Sequence, residues 1–179
     1  MTDGIDLNIF DMTDRRVLIT GAAGGIGSAM ARSFSAHGAT LVLADRNQTG
    51  LDELATSVGG NPPCLAYDQS IPEEVEKLAA AAGPIDILLN NAGILAMSPL
   101  HEQSTEEITQ LIAINLTGPI LLATALAKGM IARGRGVIVN TASQLAFTGA
   151  MDRSVYSTTK AGLVQFTRTA AAEWARYGV

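Results

Sequence analysis

The stretch RRVLITGAAGGIG at residues 15–27 decides how the rest of the chain is read. Its first half is a short apolar run rich in branched side chains, the pattern of a buried strand. Its second half, TGAAGGIG at 20–27, is a glycine-rich turn, and beyond it Ile26, Met30 and Phe34 recur at four-residue intervals. That spacing gives one apolar stripe, the face a helix packs on a sheet. A glycine turn between a strand and a helix suits a pyrophosphate. Gly21, Gly25 and Gly27 let the backbone turn sharply, approach the ligand closely and pack the helix on the sheet, while the helix N-terminus faces the negative charge. Ile26 belongs to the same turn and is taken with the cofactor contacts. No Lys-Ser/Thr pair follows the glycines, which argues against an ATP or GTP loop.

Further strand-like runs follow at regular spacing: ATLVLAD at 39–45, PCLAY at 63–67, IDILLN at 85–90 and GVIVNTA at 136–142. The cores of all but PCLAY are nearly continuous in apolar residues, which predicts strands covered on both faces. Helical periodicity places helices at about 26–37, 48–58, 71–82, 104–132 and 154–176. The expected architecture is α/β, a doubly wound Rossmann-type parallel sheet ordered 3-2-1-4-5. Ser104 and Glu107 make a capping box, and His101 lies in the loop before it. Asn115, Gly118 and Pro119 interrupt the long fourth helix and predict an irregularity near Asn115. The last helix is apolar on more than one face, which suggests partner contact. The chain ends at EWARYGV, where another strand is expected. The expected organisation is an N-terminal extension at 1–14 and, at 15–179, one Rossmann-type nucleotide-binding domain, incomplete at its C-terminus.

Composition narrows the class. Hydrophobic residues make up 47% and charged ones 16%, which excludes a disordered chain. Twelve scattered Lys and Arg against 17 Asp and Glu argue against a nucleic-acid footprint. One cysteine and two histidines cannot supply a disulfide framework or a Cys/His zinc site, so no metal is expected. Cys64 reads as a buried thiol and His37 as a solvated residue at a helix end. The opening residues lack the basic and apolar regions of a signal peptide, and GPILLATALA at 118–127 falls far short of the roughly 20 apolar residues of a membrane span. A cytoplasmic protein is expected.

Four places carry chemistry. Asp45 closes the second strand 18 residues after Gly27, where a carboxylate can accept from both hydroxyls of an adenosine ribose and repel a 2'-phosphate; a turn-initiating Asp is the plain structural reading. NAD is thus favoured over NADP, a preference that Arg46 weakens because a guanidinium could accommodate the phosphate. Asp68, after the third strand, can accept from an adenine amino group. Asn90, Asn91, Ala92 and Gly93 turn at the end of the fourth strand, where Asn91 either walls the cofactor or only fixes backbone. Ser143 follows the fifth strand, and 13 residues on begins Tyr156-Ser-Thr-Thr-Lys160. On one helix Tyr156 and Lys160 share a face, and an ammonium beside a phenol favours the phenolate. Lys160 can also donate to the nicotinamide ribose.

Taken together, TGAAGGIG at 20–27, NNAG at 90–93, INLTG around Asn115, Ser143 and the Tyr156 to Lys160 pair resemble the short-chain dehydrogenase/reductase family over residues from about 14 to 179. The resemblance implies that Tyr156 is the general acid/base, Ser143 orients the substrate oxygen, Lys160 holds the nicotinamide ribose and Asn115 anchors a water in a proton relay. It implies hydride transfer between a nicotinamide cofactor and a secondary alcohol or ketone, and a homodimer or homotetramer formed through the fourth and last helices. It departs at the C-terminus, where the family continues through a further strand and a substrate lid. A non-catalytic or impaired nucleotide-binding module is therefore the alternative, and an epimerase or dehydratase a third reading.

Overall fold

The computed structural model describes residues 9–179, so most of the expected N-terminal extension lies outside the described residues. Five parallel strands, β1 (Arg16–Thr20), β2 (Thr40–Asp45), β3 (Cys64–Ala66), β4 (Ile87–Asn90) and β5 (Val137–Asn140), form one sheet in the order β3-β2-β1-β4-β5. The expected topology holds. The helices are α1 (Gly25–Ala36), α2 (Gln48–Val58), α3 (Pro72–Ala82), α4 (Thr105–Ile112), α5 (Gly118–Arg133) and α6 (Ser154–Trp174). On one face of the sheet Val17, Ile19 and Leu43 pack under α1 and α2. On the other, Leu18, Val42 and Leu88 pack with Leu78, Leu122 and Met130 of α3 and α5.

Strand β5 departs from the expected two-sided burial. Ile138 joins the core, but Val137 is 51% and Val139 45% exposed. These valines are in register with Ile87 and Leu89, on the face covered by α1 and α2, and those helices pack over β1, β2 and β3. An apolar run reports a strand; it does not report that a helix reaches its outer face.

Helix α4 starts at the expected capping box, with Ser104 Oγ accepting from Glu107 N and the Glu107 carboxylate accepting from Ser104 N. Between α4 and α5 the irregularity expected near Asn115 is a π-helical turn, Ala113–Thr117, in which Gly118 N donates to the Ala113 carbonyl. The backbone stays helical throughout. The joined helix of 29 residues, Thr105–Arg133, is long and apolar enough to cross a membrane by length and composition, unlike the ten-residue run read from sequence. Half of its most apolar stretch is buried inside the protein, as in a core helix.

Register brings the functional segments to one edge. Thr20 pairs with Ala44 and Asn90 with Asn140, so the turns after β1, β2, β4 and β5 leave the sheet side by side. Ligands of open α/β sheets bind at this carboxyl edge.

Candidate active site

The glycine turn is locked to the turn after β4. Thr20 Oγ1 accepts from the amides of Asn91 and Ala92 at 3.0 and 3.1 Å and donates to the Leu89 carbonyl. Asn91 Nδ2 donates to the carbonyls of Thr20 and Gly21 at 3.1 and 3.4 Å, so the backbone-fixing role of Asn91 is built into the fold. Gly21 has φ +63°, and a Cβ there would stand 2.8 Å from Ala92 Cα. A Cβ on Gly27 would overlap the Gly21 carbonyl oxygen, whereas one on Gly25 would meet nothing within 4 Å. Gly25 therefore faces open space at the start of α1, and Gly27 is a packing residue beneath the turn.

That open space is a cleft of about 360 Å³, within the usual range for small-molecule sites. Gly21, Gly25, Ile26, Asp45, Arg46, Asp68, Asn91, Ala92 and Gly93 all line it; Gly27 does not. Asp45 Oδ2 accepts from Ala23 N at 3.1 Å and Oδ1 from Asn47 N at 3.0 Å. Asp45 thus starts a turn, as the plain reading expects, and also holds the glycine loop, while each carboxylate oxygen keeps a lone pair for a ligand hydroxyl. Asp68 Oδ1 accepts from both the amide and the hydroxyl of Ser70, and these bonds hold the carboxyl below its ordinary pKa. The cleft also takes in Gly24, Tyr67, Gln69, Ile94, Gln110 and Ile114, none of which the sequence singled out. Gly24 and Ile114 lie within the glycine-rich and INLTG motifs but carry no side-chain chemistry there, while Tyr67, Gln69, Ile94 and Gln110 sit outside any motif and reach the cleft only through the packing of the β3 loop, the β4 turn and α4.

Lys160 and Asn115 meet at Gly93, on the edge of the cleft. Lys160 is only 4% exposed, its Nζ donates to the Thr141 carbonyl at 2.7 Å and stands 5.9 Å from the Tyr156 ring centre. Burial lowers its pKa from the ordinary lysine value. A Cβ on Gly93 would lie 3.1 Å from Asn115 Oδ1 and 3.6 Å from Lys160 Nζ. The Asn115 amide is held by Ile94, accepting from its N–H and donating to its carbonyl, both at 2.8 Å. Ser143 Oγ accepts from Leu145 N at 3.2 Å, which fixes the side chain and leaves the hydroxyl proton free to donate. Asn115, Ser143, Tyr156 and Lys160 stand outside the cleft wall, and Asn115 and Lys160 adjoin it at Gly93.

Among the described residues no group of three or more His, Cys, Asp or Glu is placed to hold a metal ion. Cys64 is partly buried rather than buried, its single S–H lies within reach of the Leu51 and Pro62 carbonyls, and desolvation raises its pKa, which suits an inert thiol. His37, exposed at the end of α1, bonds the Ser33 carbonyl and packs on Phe10.

The short chain dehydrogenase family matches residues 15–179. The chain belongs to that family. This short chain dehydrogenase is 37% identical, over 190 aligned positions, to D-threitol dehydrogenase of Mycolicibacterium smegmatis, covering all of this chain and 73% of that protein. It is also 37% identical to the NAD-dependent glycerol dehydrogenase of Listeria innocua, over 95% of this chain and 68% of that one. A solved metagenomic short-chain oxidoreductase in complex with NADP superposes with a TM-score of 0.88 at 34% identity, covering 93% of this chain and 79% of that one. The protein is an oxidoreductase that uses a nicotinamide cofactor on alcohols or ketones. The cleft fits such a group: a pyrophosphate needs the room that Gly25 leaves at a helix N-terminus.

Proposed function

We propose that the domain at 15–179 oxidises a small secondary alcohol of the polyol type, or reduces the matching ketone, with NAD preferred over NADP. The observation that carries this reading is the convergence of Lys160 Nζ and Asn115 on Gly93, with Tyr156 one helical turn before Lys160. A bound nicotinamide dinucleotide supplies the hydride donor or acceptor. Tyr156 moves the proton to or from the substrate oxygen, and Ser143, its Oγ held by Leu145 N, donates to that oxygen. Lys160 binds the nicotinamide ribose and keeps positive charge beside the phenol. The Asn115 side chain, bonded to both main-chain groups of Ile94, acts by fixing the wall.

NAD preference rests on Asp45, which the glycine loop holds in place and which would repel a 2'-phosphate. The NADP-bound neighbour and the NAD-dependent glycerol dehydrogenase show that the family accommodates both cofactors. Arg46 is the group that would favour the phosphate. Small polar substrates follow from the threitol and glycerol dehydrogenases among the relatives. A dimer through the α4–α5 helix and α6 belongs to the same reading. The deciding experiment is a screen of polyols and their ketones by cofactor absorbance, repeated on Tyr156→Phe. Turnover that survives this change intact refutes the assignment.

A further inference from the structure

Gln69 is 7% exposed and lies in the loop after β3, with every polar atom of its side chain engaged. Its Oε1 accepts from the Tyr67 hydroxyl at 2.5 Å, and its Nε2 donates to the Ile114 carbonyl at 2.6 Å and to the Ala92 carbonyl at 3.2 Å. Tyr67 is itself buried, and that burial keeps it a neutral phenol able to donate. The amide orientation follows: its oxygen faces the phenol and its nitrogen the two carbonyls.

The Ile114 carbonyl needs this donor for a reason written in the sequence. In the π turn, Gly118 N donates five residues back to Ala113. The next bond in that pattern would run from residue 119 to Ile114, and residue 119 is proline, which has no N–H. The carbonyl is thereby left without a helical partner inside the protein, where an unpaired acceptor is costly. Gln69 takes the place of the missing N–H. Gly118 makes the approach possible, since a Cβ there would overlap Gln69 Cγ and lie 2.6 Å from the Gln69 carbonyl oxygen.

We infer that Gln69 is a positioning residue that replaces the helical donor absent at Pro119 and ties the π turn carrying Asn115 to the cofactor wall at Ala92. The inference rests on the proposed reading of Asn115 and Gly93 as parts of the active site. Gln69 touches no reacting atom; it sets where Asn115, the residue after Ile114, stands relative to Gly93 and Lys160. Misplacement of such a group by a fraction of an ångström is felt in turnover more than in affinity.

The test is steady-state kinetics on the intact protein, per folded enzyme, with the alcohol found by the screen. Gln69→Leu is expected to lower kcat by about 10-fold or more while the cofactor KM changes by less than about threefold. Adding Pro119→Ala to it restores an N–H opposite Ile114 and is expected to recover at least about threefold of that kcat. A residue that only supports the fold would lower the melting temperature without this split or rescue. Gln69→Leu with kcat within twofold, a rise confined to the cofactor KM, or a double variant no better than the single one would overturn the inference. Should Gln69→Leu fail to fold, Gln69→Met, of similar length and without a donor, carries the same expectations. Asn115→Ala separates the two levels: full turnover there sinks the active-site reading itself, whereas lost turnover beside an unaffected Gln69→Leu sinks only the role of Gln69.

Discussion

Gly25 and Gly27 stand two residues apart in one motif, and the structure assigns them opposite sensitivities. A Cβ on Gly25 meets no atom within 4 Å, and Gly25 opens α1 without a positive φ. Gly25→Ala should therefore stabilise the free protein by about 0.5 kcal/mol, since alanine loses less backbone entropy than glycine on entering a helix. For a chain of this length that raises the melting temperature by roughly 1–2 °C. The new methyl group would stand in the cleft where a pyrophosphate approaches the first amides of α1. Loss of one charge-assisted hydrogen bond costs about 1.5–3 kcal/mol, or roughly 10- to 100-fold in Kd. Gly27→Ala should do the reverse, lowering the melting temperature sharply because its methyl overlaps the Gly21 carbonyl oxygen. Calorimetric titration with NAD and a thermal melt of each variant decide the matter. A Gly25→Ala protein that binds NAD within twofold of the unaltered chain would refute the placement of the pyrophosphate at this turn.

Four other outcomes can be checked. Tyr156→Phe should reduce turnover by about 10²-fold or more while leaving NAD affinity nearly unchanged, as measured by cofactor absorbance and titration. Asp45→Ser should weaken NAD and strengthen NADP, and a purified chain that already binds NADP as tightly as NAD would point to Arg46 as the controlling side chain. Lys160, its pKa lowered by burial, binds fewer protons folded than unfolded between that lowered value and the unfolded value of about 10.4, so stability should rise with pH across this window; Lys160→Met should flatten the rise in melts from pH 7 to 10.5. Sedimentation at micromolar concentration should show at least a dimer, and a monomer would remove the proposed pairing of α4–α5 and α6.

Strand order, helix positions and most of the cleft were legible because each depends on local pattern. Apolar runs mark β1, β2, β4 and β5, the Ser104–Glu107 pair marks the start of α4, and glycine spacing marks the turn. Even the π turn was foreshadowed, since Pro119 removes a helical donor whatever surrounds it. The features that escaped depend on contacts between distant segments. Nothing local to Gln69 says that its amide reaches Ile114, 45 residues on, and nothing in GVIVNTA says that α1 and α2 cover other strands than β5. Asn115 was located by its motif, but the commitment of its side chain to Ile94 requires the β4 turn to lie against the π turn.

The candidate site is unusual for a core in the number of polar side chains it buries. Thr20, Gln69, Asn90, Asn115 and Lys160 are all nearly inaccessible. Each directs at least one hydrogen bond at main-chain atoms of a neighbouring segment: Thr20 at the β4 turn, Gln69 at the β4 and π turns, Asn115 at Ile94, Lys160 at Thr141, and Asn90 at Pro119. A turn at a strand end has few internal bonds of its own, so these side chains supply the restraint that a helix or sheet would otherwise give. An apolar residue of equal size at any of these positions would leave a buried main-chain group unpaired, at about 1–3 kcal/mol each. The turns would then be free to shift relative to one another, and the separation of Gly93, Asn115 and Lys160 would cease to be fixed. Polar burial at this edge thus stabilises less than an apolar core would, but it holds in place the geometry that the proposed proton and hydride transfer requires.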